Sequence, residues 1–101
     1  MFDMPDDQAA SFYQGAKKVA RMLEKAFGVS RVALVMEGMG INHVHIKLYP
    51  LHGVTGEFHE MWAENRAWFD KYEGYISTQL GPVADKDVLQ KVAEEIRAAN
   101  N

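Results

Sequence analysis

Two imidazoles and an ammonium group fall at every second position of Asn42-His43-Val44-His45-Ile46-Lys47-Leu48-Tyr49-Pro50. One-for-one alternation of polar and apolar residues is the strand period, and successive side chains of a strand point to opposite faces. His43, His45, Lys47 and Tyr49 therefore share one face, and Val44, Ile46 and Leu48 the other. The apolar face belongs in a core, and the polar one is either a wet surface or a site. A neutral imidazole is a competent nucleophile near pH 7, because its unperturbed pKa of about 6.5 leaves much of it deprotonated. The same pair offers a second chemistry. His43 and His45 could be two metal ligands, with His52, His59 or a carboxylate completing the shell.

The strand needs elements to hold it. Arg31-Val32-Ala33-Leu34-Val35-Met36-Glu37 is mostly apolar on both faces, as expected of a strand in the middle of a sheet. Gly38-Met39-Gly40 can turn tightly, so strands over 31–37 and 42–49 are expected to form an antiparallel hairpin. From Pro5 to about Phe27, Ala9, Phe12, Ala16, Val19, Ala20, Leu23 and Phe27 recur at spacings of three and four, the stripe of an amphipathic helix. Pro5 suits a first turn, Asp6 and Asp7 complement the positive helix end, and Gly28 supplies the stop. This helix should lie across Val44, Ile46 and Leu48.

Past Pro50, which marks the strand's end, comes a loop from Leu51 to Gly56. Glu57 to Tyr72 carries Phe58, Trp62, Trp68, Phe69 and Tyr72 and is expected to be helical, its aromatics serving a core or a dimer interface. Glu73 to Pro82 reads as an extended arm with a short strand at Tyr75 to Thr78. A last helix is expected from a cap at Asp85 or Asp87 to about Ala98, with its stripe at Val88, Leu89, Val92, Ala93 and Ile96.

With 101 residues the chain has room for one domain, of α+β class: an antiparallel β-sheet with a long packed helix and a C-terminal helical extension. The net charge of −3 argues against a nucleic-acid partner, which calls for a basic surface, but leaves room for a mononucleotide held by a few local cations. No run approaches the roughly 18 apolar residues of a membrane helix, and the acidic first residues lead into no signal-peptide core. The expectation is a cytoplasmic protein with no membrane partner. The absence of cysteine excludes disulfides, thiolate metal sites and cysteine nucleophiles. No Walker-type loop, serine elbow or dinucleotide fingerprint occurs.

The run His-apolar-His-apolar-X-apolar-apolar, with a glycine turn before it and a proline after it, resembles the motif of the histidine-triad (HIT) nucleotide hydrolases and transferases. Helix, strand, glycine turn, histidine strand and proline follow in that family's order from about Pro5 to Pro50. The C-terminal half is similar, more weakly, to the extension of a bacterial or archaeal-type subgroup. The N-terminal strands and small helix of longer family members have no counterpart here, as in a short natural variant or a fragment.

The resemblance implies a HIT-like domain over 1–101 that binds a small-molecule nucleotide, needs no cofactor or metal, and forms a homodimer. It puts the nucleophile at His45, attacking an α-phosphate to give a nucleotidyl-histidine, with His43 as the orienting neighbour. Gly40 and Asn42 stand where backbone amides would meet phosphate oxygens. The third histidine of the pattern is Lys47 in this chain. A lysine can neutralise phosphate charge, but with an unperturbed pKa of about 10.4 it is a poor proton donor at pH 7. That favours substrates with good leaving groups, such as dinucleoside polyphosphates or nucleotide anhydrides. The alternative is an inactive relative that binds nucleotide or only dimerises.

Overall fold

The computed structural model describes residues 2–37, 42–64, 68–71 and 82–100. Within them the element order is helix α1 (Asp6–Phe27), strand β1 (Val32–Glu37), strand β2 (His45–Pro50) and helix α2 (Lys86–Ala98). The class is α+β, with two helices and a two-stranded antiparallel sheet.

α1 begins and ends where its residue types dictate. Pro5 stands one position before the helix as its N-cap, and its carbonyl accepts the first helical bond from the Ala9 N–H at 2.9 Å. Asp6 and Asp7 occupy the first turn, where the orphan amides carry partial positive charge. Gly28 closes the helix at φ 63°, ψ 26°, a left-handed conformation open to glycine because it has no Cβ.

The ladder pairs Val32 with Pro50, Leu34 with Leu48, Met36 with Ile46 and Glu37 with His45. Residues opposite one another share a face. Val32, Leu34, Met36, Ile46 and Leu48 therefore form one face, and Ala33, Val35, Glu37, His45, Lys47 and Tyr49 the other. α1 packs on the first. Phe12, Ala16 and Val19 line one hollow with Ile46 and Leu48, and Tyr13, Ala16 and Ala20 another with Val32 and Leu34. The core sits here, around Ala16 and Leu23, the buried apolar side chains among the described residues. α2 packs against α1 and not against the sheet. Asp85 is its N-cap through the backbone alone: its carbonyl accepts the Leu89 N–H at 3.0 Å, and its side chain makes no capping bond. No helix among the described residues is long and apolar enough to cross a membrane.

Three expectations change. The second strand starts at His45 rather than at residue 42, because the last rung of the ladder is Glu37–His45. The connection therefore runs from 38 to 44, and Asn42 and His43 lie in a bend. Asparagine is among the residues a strand accommodates least well. β1 has a neighbour on one side only among the described residues, and Leu34 keeps 42% of its surface exposed. In the segment from Glu57, the described residues, 57–64 and 68–71, hold no helical turn. Phe58 and Trp62 are 79% and 76% exposed, so the aromatic stripe finds no surface to bury against. Helical stability in a protein comes mainly from such burial, and a stripe without a partner does not meet the cost of nucleation. Gly38 to Ile41 and the arm from 73 to 81, with its expected strand at Tyr75 to Thr78, lie outside the described residues.

Candidate functional site

The face of the sheet turned away from α1 carries the candidate residues His45 and Lys47. His45 opens β2 and is half-buried, while His43 precedes the strand and is exposed. Strand alternation does not reach His43, and a local hydrogen bond takes its place. The His45 Nδ1–H donates to the His43 carbonyl oxygen at 3.1 Å, and the two rings meet edge to face with centroids 5.6 Å apart.

That bond sets the tautomer of His45. A carbonyl oxygen can only accept, so the contact assigns the proton of the neutral ring to Nδ1 and leaves the lone pair on Nε2. It also fixes the ring plane, because Nδ1 must keep facing the backbone two residues back. The consequence is that Nε2, not Nδ1, is the nitrogen available for attack.

Lys47 follows two residues along β2 on the same face and is 35% exposed at its side chain. Its ammonium is hydrogen-bonded and ion-paired to the carboxylate of Glu37, whose side chain is only 5% exposed. The register explains how they meet. Glu37 is directly across from His45, so Lys47 is its diagonal neighbour, a separation of about 7–8 Å that a lysine spans. Glu37 is thus a member of the site that the sequence reading passed over as the last residue of an apolar strand. The signal was present in the chain, since a hairpin closing between 37 and 45 brings that carboxylate to the histidine face, but its use required the register.

Of the expected site residues, His43 and His45 meet, and Lys47 lies two residues along β2 on the His45 face, paired with Glu37. Asn42 is exposed in the bend beside His43. Gly40 lies outside the described residues. Among the described residues, neither His52 nor His59 joins His43 and His45 as a third metal ligand. His52 sits past the far end of β2, six strand residues and roughly 20 Å away at about 3.3 Å per residue. There its ring meets Phe27 edge to face at 6.0 Å. His59 lines a separate hollow with Arg31, Leu51 and Val54. Among the described residues no three His, Asp or Glu side chains gather as metal ligands would.

The arrangement offers a nucleophilic nitrogen, a cation on the same face and a carboxylate holding that cation. Such a set suits an anionic electrophile, whose charge the ammonium offsets while Nε2 attacks. In comparisons with family models, curated proteins and solved structures, nothing matches the chain.

Proposed function

We propose that this protein is a HIT-like nucleotide hydrolase or nucleotidyl transferase, acting at an α-phosphate through a nucleotidyl intermediate on His45. The observation that carries the reading is the Nδ1–H bond from His45 to the His43 carbonyl, which puts the lone pair of the neutral ring on Nε2.

In the first step the Nε2 lone pair forms a bond to phosphorus as the bond to the leaving phosphate oxygen breaks, and that oxygen departs with the electron pair. The ring becomes cationic, and the carbonyl facing Nδ1–H stabilises it. In the second step water, or another acceptor hydroxyl in a transfer reaction, attacks phosphorus. The nitrogen–phosphorus bond breaks, Nε2 regains its lone pair, and the acceptor's proton passes to solvent. Two displacements replace one difficult reaction, and placing the nucleophile at a strand end holds it in line with the leaving oxygen.

Lys47 supplies charge rather than a proton, so the substrates are those whose leaving group needs none: dinucleoside polyphosphates and nucleotide anhydrides. Two copies would associate, each strand of the sheet having one open edge among the described residues. Hydrolysis of a dinucleoside polyphosphate by wild type and by His45→Ala tests the reading. Turnover by wild type alone supports it, and equal rates refute it.

One observation favours a second reading, a module that binds nucleotide without turning it over. The Lys47 ammonium already has a carboxylate partner in Glu37. Saturable nucleotide binding with no His45-dependent turnover would select that reading.

A further inference from the structure

Glu37 is an unusual residue to find at this place. A carboxylate with only 5% of its side chain exposed carries a large desolvation cost, and apolar residues of similar volume often serve stability as well or better. Its position is specific: opposite His45 in the ladder and bonded to the ammonium of Lys47. The pairing therefore calls for an explanation beyond stability.

Lysine is a compact charge on a stem of four rotatable carbons, and left to itself it samples many positions. Charge stabilisation in phosphoryl transfer depends on the cation already standing where charge develops. The carboxylate holds the ammonium on the His45 face of the sheet, where its charge acts on a phosphate placed beside that histidine. Glu37 also cancels part of the charge an incoming nucleotide meets. Its removal should then cost little in ground-state binding, since a looser lysine and a lost negative charge act in opposite directions.

We propose that Glu37 is a positioning residue which fixes the Lys47 ammonium on the His45 face for the transition state of nucleotidyl transfer. The proposal rests on the reading of His45 given above. It acts through Lys47, and Glu37 itself touches neither nucleotide nor leaving group.

The test is steady-state kinetics of the full chain on a dinucleoside polyphosphate, with thermal unfolding measured on the same samples. Glu37→Leu removes the acceptor but fills the space, and Glu37→Gln keeps a neutral acceptor. Expected is a kcat lower by roughly ten- to a hundredfold in Glu37→Leu, with KM within about threefold of wild type. Glu37→Gln should fall in between, and Glu37→Leu should unfold no earlier than wild type. In a Lys47→Met background, Glu37→Leu should have no further effect on kcat. A purely structural role predicts the opposite pattern, with unfolding temperature changed and kcat of the folded protein unchanged. A kcat for Glu37→Leu within about twofold of wild type overturns the proposal. Should that variant not fold, the same criterion on Glu37→Gln decides. Wild-type turnover that survives in the Glu37 variants but not in His45→Ala removes this inference alone. Absence of His45-dependent turnover in wild type removes it together with the proposed function.

Discussion

The His45 Nδ1–H donates to the carbonyl of His43 at 3.1 Å, so the backbone of one histidine sets the tautomer of the other. The two residues are therefore unequal in a way their identical side chains do not suggest. His45 presents Nε2, while His43 contributes a main-chain oxygen and a ring edge.

That inequality predicts the outcome of truncating each. His43→Ala keeps the carbonyl and loses only the edge-to-face contact, a pair worth about 1 kcal/mol. Its kcat is expected to fall about fivefold, whereas His45→Ala falls to background. Rates for the two variants on one substrate check this, and equal losses would mean that the His43 ring takes part directly.

Lys47→Met leaves the buried Glu37 carboxylate without its ammonium. Removing one partner of a charged hydrogen bond costs about 1–3 kcal/mol, and the part-exposed lysine places this case toward the lower end. Urea unfolding should show that loss, and Lys47→Met/Glu37→Leu should recover it. Unchanged stability in the single variant would mean that the pair contributes nothing net.

Gly28 closes α1 at φ 63°. A Cβ at that angle costs about 1–2 kcal/mol, although nothing packs near enough to clash with one. Gly28→Ala should lower stability by that amount in urea, and Gly28→Asn by less, since asparagine tolerates the left-handed region better.

A proline in a helix interior costs about 3 kcal/mol. Glu60 lies within the segment whose aromatics suggest a helix but which holds none among its described residues. Glu60→Pro is accordingly expected to change stability by no more than about 0.5 kcal/mol and to leave far-UV circular dichroism unchanged. A loss near the full helix-interior value would place a helix there.

What could be read from the chain follows from how local each signal is. α1 was legible nearly to the residue because a stripe of period 3.6 runs between Pro5 and Gly28, both of which act on their own backbone. The antiparallel hairpin was legible from two strand-like runs joined by a glycine turn, and the shared face of His45 and Lys47 from alternation. Glu37 was not, because its meaning depends on the rung it occupies, and the rung depends on where a connection of several residues closes. The start of β2 was missed for the same reason. The aromatic segment from Glu57 failed differently. Its spacing fits a helical face, but a face is stabilised by what it covers, and Phe58 and Trp62 remain exposed.

Catalysis of the proposed kind requires a bond between Nε2 of His45 and the phosphorus of a nucleotide. Wild-type protein mixed with a dinucleoside polyphosphate, stopped in the steady state and analysed by intact and peptide mass spectrometry tests it directly. An acid-labile nucleoside monophosphate adduct is expected, confined to the peptide that carries His45 and absent from His45→Ala. Turnover without an adduct at any stopping time, or an adduct on another residue, would contradict it.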